Sequence, residues 1–76
     1  MLDVLLLTPE KVLFAGQARS VILPGEEGVF ELNPYHKPLL SRLVNGRIII
    51  NHNEAFHVRR GLVGLNLDRV SIIVEE

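Results

Sequence analysis

The sequence has no cysteine, which excludes a disulfide framework, a thiolate nucleophile and a cysteine-based zinc site and leaves burial alone to hold the fold. An excess of positive charge is missing too. Eight Lys and Arg stand against nine Asp and Glu for a net charge of −1, so there is no cationic field to neutralise phosphates or hold the chain on anionic lipid. Nucleic acid and bare membrane therefore drop out as expected partners. No uninterrupted apolar run exceeds the four residues from Val4 to Leu7, far short of a membrane span, and no basic segment leads into an apolar core of signal-peptide length. The expectation is a soluble, non-exported chain without direct membrane insertion. At 76 residues two domains do not fit, and residues 1–76 are expected to form one.

What is present favours strands. Nine Val and six Ile stand beside three Ala, and β-branched side chains suit a pleated surface better than a helix. Turn signals recur at Thr8-Pro9-Glu10, Ala15-Gly16, the segment from Pro24 to Gly28, Asn33-Pro34, Asn45-Gly46, Asn51-His52-Asn53 and Asp68-Arg69, the punctuation of a sandwich or barrel of short strands. Alternation is clearest near the C-terminus. There Phe56 and Val58 alternate with His57 and Arg59, and Val70, Ile72 and Val74 with Ser71, Ile73 and Glu75, as in half-buried antiparallel strands. Pro38 to Leu43 is open to helix or strand, since Pro suits a first helical position and Leu39, Leu40 and Leu43 share a helical face.

Several runs are apolar on both sides: Val4 to Leu7, Ile48 to Ile50, and Leu62-Val63. A chain this short buries only about 60% of the surface its unfolded form exposes. Either two inner sandwich faces absorb the surplus, or part of it, at Val4 to Leu7 and Ile48 to Ile50, forms an exposed patch for a protein partner.

Reactive chemistry is sparse. Gly25-Glu26-Glu27-Gly28 lacks the Lys and Ser/Thr of a phosphate-cradling loop, and its acidic middle repels phosphate. Glu26 and Glu27 are chain neighbours that point apart, with nothing to separate their acidities. His52 and His57 flank a hairpin turn, but two imidazoles without a third ligand make a poor metal site. Ser20, Ser41 and Ser71 lie outside any nucleophile elbow. His36 sits in Asn33-Pro34-Tyr35-His36-Lys37-Pro38, where two prolines stiffen a loop able to present Tyr35 and His36 to a partner. Arg59 and Arg60 are either solvated charge or a docking pair for another protein's carboxylates.

The stretch Leu23-Pro24-Gly25-Glu26-Glu27-Gly28-Val29-Phe30-Glu31-Leu32-Asn33-Pro34-Tyr35-His36-Lys37-Pro38-Leu39-Leu40 resembles the signature of the epsilon subunit of F-type ATP synthases, called delta in mitochondria. That signature is a strand ending in Leu-Pro-Gly, an acidic loop closed by Gly, a strand, then Pro-Gly-His-x-Pro-Leu-Leu. The opening Leu2-Asp3-Val4, Thr8-Pro9-Glu10, Phe14-Ala15-Gly16, Asn45-Gly46 and the strand pair from Gly61 to Val74 follow in the family's order.

The resemblance implies a small flattened antiparallel β-sandwich of about 8–10 short strands, non-catalytic and without a cofactor. It would clamp the gamma subunit through an apolar face and meet the polar loops of the c-ring at the end carrying Glu27 to His36. The location implied is the cytoplasmic face of the membrane, or the equivalent organelle compartment, as a peripheral complex subunit. The residues it assigns to partners are Val29, Glu31, Tyr35 and His36, with Arg59 and Arg60 added. Three departures mark the chain. Tyr35 replaces the Gly of Pro-Gly-His, a polar ring-contact position falls on Val29 with charge moved to Glu31, and Ser-Gly-Gly becomes Arg59-Arg60-Gly61. The family's two C-terminal helices are expected to be absent, because the chain stops at Glu76 as its last strand ends, so neither inhibition nor nucleotide sensing is assigned. The rival expectation is a stand-alone β-sandwich interaction module that self-associates through its apolar strands.

Overall fold

A computed structural model describes all 76 residues. It contains nine strands and no helix: β1 Leu2–Leu7, β2 Val12–Ala18, β3 Val21–Gly25, β4 Gly28–Leu32, β5 Leu39–Leu43, β6 Gly46–Ile50, β7 Glu54–Val58, β8 Arg60–Asn66 and β9 Arg69–Glu75. One curled sheet runs β2-β1-β9-β8-β5-β3-β6-β7, with β4 paired to β3 outside that path. The link between β5 and β3 is a single pairing, Gly25 with Leu43. There the sheet turns a corner and folds back on itself, giving a large layer (β2, β1, β9, β8, β5) over a small one (β4, β3, β6, β7).

Alternation explains the packing. Leu2, Val4 and Leu6 of β1 and Val70, Ile72 and Val74 of β9 point inward, and they join Val21, Leu23, Leu32, Ile48 and Ile50 from the small layer in one core of sixteen buried apolar residues. The end strands β2 and β7 meet through Phe14 and Phe56, whose rings sit edge to face with centroids 6.4 Å apart, an arrangement aromatic quadrupoles favour. The accessible surface is 4927 Å², against about 4650 Å² for a folded monomer of this mass. Apolar groups that remain outside are therefore there by placement, not through a loose fold.

Two sequence expectations change and two alternatives left open are decided. Pro38 to Leu43 carries a strand: β5 pairs with β8 at every position from Leu39 to Leu43, and Leu40, which suggested the helical face, points outward and is exposed. Ala15-Gly16 is no turn but the middle of β2, where Ala15 pairs with Leu5 and Gly16 with Val4. Ile48 and Ile50 are fully buried, so that run is core and not a patch. Not every strand pair is antiparallel: β1 runs parallel to β9, which sets the first and last strands side by side in the middle of the large layer with the chain termini at opposite ends of the pair. The Thr8 turn holds as expected, with the Thr8 hydroxyl accepting from the amides of Glu10 and Lys11 at 3.2 and 3.1 Å.

Candidate partner-binding surfaces

The surplus expected around Val4 to Leu7 does reach the surface, on the outer face of the large layer. Leu7 pairs with Val12 on one side and Ile73 on the other, and Ile73 pairs with Leu62. Those pairings set Val12, Leu7, Ile73 and Leu62 in one row across four strands, and Val12, Leu62 and Ile73 are exposed. A second row contains Leu5, Ser71, Gly64 and Leu40. A row of large apolar side chains on the solvent side of an otherwise alternating sheet is unusual for a monomer surface. Sequence reasoning named Leu62 in a run apolar on both sides and Ile73 in the outward alternation, but assigned neither to a partner surface. The signal was available, because Ile73 stands between Ser71 and Glu75 in the outward register of β9.

The six residues assigned to partners do not form one site. Val29 and Glu31 share the outer face of β4, opposite Pro24 and Ile22. Val29 is 74% exposed, while the Glu31 carboxylate lies 3.4 Å from His52 Nε2 and accepts from the Asn33 side chain. Tyr35 and His36 lie beyond the opposite end of β4 from the acidic turn at Glu26-Glu27. Tyr35 has φ 66°, the left-handed backbone that Gly adopts freely and a bulky residue occupies at a cost of about 1–2 kcal/mol. Its amide donates to Asp68 Oδ1 at 2.8 Å, and its side chain is 92% exposed. His36 turns its Nδ1 to the Lys37 carbonyl, 2.8 Å away.

Arg59 and Arg60 occupy the other end of the β8–β9 hairpin, roughly 20 Å from Tyr35 along seven strand residues. Both are engaged within the chain. The Arg59 amide donates to the Glu75 carbonyl and its Nε to the Glu76 carbonyl at 2.8 and 3.0 Å, and Arg60 Nε sits 3.2 Å from the Glu75 carboxylate. A cleft of about 550 Å³ opens at this end, lined by Arg42, Arg60, Glu26 and Glu75 over the apolar Leu62 and Ile73. Its charges are mixed, and it holds no nucleophile or imidazole. His52 lies in the β6–β7 turn, whereas His57 is on β7 opposite Arg47; no group of three or more metal-ligating side chains converges anywhere. No helix is long and apolar enough to cross a membrane.

The arrangement can bind surfaces: a flat apolar face, a stiff loop and paired charges. Comparison with known proteins supplies the family. The family model described as ATP synthase, Delta/Epsilon chain, beta-sandwich domain matches residues 1–76. The chain is 35% identical to an ATP synthase epsilon chain of Leptospira interrogans, with 97% of this chain and 61% of that relative aligned. It is 28% identical to an ATP synthase epsilon chain of Chlorobium limicola, covering 93% of this chain and 85% of that one. The chain thus spans about three fifths of the Leptospira relative's length. A chain in the Tetrahymena thermophila mitochondrial ATP synthase central stalk and c-ring structure superposes with a TM-score of 0.83 over 99% of this chain and 63% of that chain at 21% identity, which shows a shared fold.

Proposed function

We propose that this chain, which belongs to the ATP synthase delta/epsilon β-sandwich family, acts as a non-catalytic component of the rotor stalk of an F-type synthase, or as its N-terminal domain. It binds gamma through the outer face of the large layer and the c-ring loops through the Glu31 and Tyr35–His36 side, with Val29 flanking. Arg59 and Arg60 contribute at the rim. In that role it works as a peripheral subunit on the cytoplasmic side of the membrane or the organelle equivalent, helping to couple ion flow to ATP synthesis.

The observation that carries the reading is the uncovered row of Leu7, Ile73 and Leu62 on a chain whose whole length matches this family. The mechanism is steric and adhesive. A sheet fixed by ladders on both sides of β9 bends little, so torque applied at one contact reaches the other through backbone hydrogen bonds, not through a hinge. Apolar burial at about 25 cal/mol per Å² supplies the adhesion.

Mixing the chain with its cognate gamma subunit at micromolar concentration tests this. Co-elution is expected, and Ile73→Lys should abolish it. A chain that stays monomeric beside excess gamma overturns the reading, and a stable homodimer on size exclusion with light scattering would replace it with self-pairing through the same row.

A further inference from the structure

Gly64 gives up a side chain that the fold has room for. At Gly25, Gly46 and Gly61 a Cβ would lie within 2.7 Å of Phe30, Pro24 and the Ile73 carbonyl oxygen, so the chain itself requires glycine there. At Gly64 a Cβ would meet one atom, Leu40 Cδ1, at an ordinary 3.9 Å. Glycine inside a strand weakens it and marks a bulge, a bend or the close approach of something else. The ladders from β8 to β5 and to β9 pass through Gly64 without a register shift, so it makes no bulge, and nothing in the chain approaches it.

With Ser71 opposite on β9, Gly64 floors a shallow hollow of about 590 Å³ that has Asn66 and Arg69 on its rim. Exposed apolar side chains stand round it. Leu40 pairs with Gly64 and Leu5 with Ser71, while Leu62 and Ile73 pair with each other one row away. Two cations occupy diagonal corners, Arg42 opposite Leu62 and Arg69 opposite Asn66. Neither is paired, since the chain's ion pairs are Lys11–Glu76, His52–Glu31 and Arg60–Glu75. The carboxylates at the edge of the face are already engaged: Glu75 and Glu76 by those cations, and Asp3 by the Gln17 side chain at 3.2 Å.

We propose that the hollow over Gly64 is a socket for one large apolar side chain on an acidic segment of a partner protein, with Arg42 and Arg69 receiving the carboxylates on either side. Charge selects this occupant over a second copy of the chain, whose matching face offers only more unpaired arginine and carboxylates already engaged. A guanidinium fork grips a carboxylate at two points, and an apolar anchor seated in a desolvated hollow inside a charged rim is how tight interfaces concentrate their affinity. The assignment rests on the stalk reading, which gives this face to gamma. It adds what gamma must present there: an apolar anchor flanked by Asp or Glu.

The test fills the socket. Gly64→Val puts a β-branched side chain into open space on a strand that favours one, so the full chain should melt at or above the wild-type midpoint. Its affinity for the cognate gamma subunit, measured by calorimetry, should fall at least about thirtyfold, as loss of a central anchor does. Arg42→Gln and Arg69→Gln should each weaken binding about fivefold and flatten its decline with salt. A Gly64→Val chain that binds gamma as tightly as the wild type overturns the socket and leaves the stalk reading standing, and one that melts well below the wild type returns Gly64 to the service of the fold. Arginine variants that keep both the wild-type affinity and its salt dependence overturn the acidic occupant. A wild-type homodimer that Gly64→Val dissociates replaces that occupant with a second copy. A wild type that binds neither gamma nor itself sinks the stalk reading and the occupant together.

Discussion

The two ends of the β8–β9 hairpin solve opposite problems. At the Arg60 end the charges are spent internally: Arg60 faces Glu75, Arg59 holds the Glu76 carbonyl, and Lys11 approaches the Glu76 carboxylate at 3.6 Å. At the Leu67 end the backbone is left-handed at three residues and the apolar side chains of Leu67 and Tyr35 stand in water. One end is satisfied by its own chain and the other is not. The difference teaches that exposure means different things at the two tips: paired charge at one, uncovered apolar side chains on left-handed backbone at the other.

The comparison breaks most sharply if the satisfied end is disturbed from beneath. Gly61 lies in the inward register next to Arg60, and a Cβ there would meet the Ile73 carbonyl oxygen at 2.5 Å and Val74 Cγ1 at 2.8 Å. Backbone cannot step aside as a flexible side chain can. Gly61→Ala should therefore cost about 3 kcal/mol, and thermal unfolding should show a midpoint lower by about 12–24 °C. A drop of only a few degrees would mean that β8 and β9 shift apart freely, and the stiffness on which torque transfer depends would be lost as an explanation.

Next in size is the strained end, where the sign reverses. Tyr35→Gly removes a left-handed aromatic residue and leaves its amide free to keep the bond to Asp68. It should raise stability by about 1 kcal/mol, read as a higher midpoint in the same melt, while binding to the gamma–c-ring assembly falls. Gain of stability with loss of binding is the signature of a functional cost. A variant that loses both would assign Tyr35 to the fold.

Much of this architecture was legible beforehand. The inward register of β9 follows directly from Val70, Ile72 and Val74, and the strand-rich class from the abundance of Val and Ile. What stayed hidden depends on pairing partners far apart in sequence. Nothing local says that Ile48 and Ile50 are covered by the opposite layer while Leu62 and Ile73 are not, because both stretches look equally apolar. Leu40 fits a helical stripe until β8 is known to lie beside it. The parallel pairing of β1 with β9 is a long-range fact about the chain ends. Of the candidate contacts, Tyr35 and His36 were visible through two prolines, whereas Asp68 was visible only as a turn residue, since its bond to Tyr35 spans 33 positions.

A smaller effect on stability, though not on binding, is expected at the outer apolar row. Ile73→Lys removes an exposed side chain whose neighbours are Leu7 and Leu62, and surface changes of this kind usually stay within about 0.5 kcal/mol. The melt should barely move while gamma co-elution is lost. That split distinguishes the row from the core one position away, where Ile72→Ala should cost about 2–5 kcal/mol through the cavity it leaves.

The smallest effect belongs to Arg60. Its ion pair with Glu75 is exposed, with side chains 72% and 48% accessible, so water and salt screen it and its contribution to stability is about 0–1 kcal/mol. As a rim residue it should act on association speed more than on residence time, because charges outside a buried centre steer encounters without being desolvated. Arg60→Ala should therefore weaken partner binding by no more than about threefold, a value in keeping with a solvated rim contact. The loss should appear in the association phase of surface-plasmon traces and shrink as salt is raised. A large effect that persists at high salt would mean that this end, too, is buried against a partner, and the contrast between the two ends of the hairpin would no longer hold.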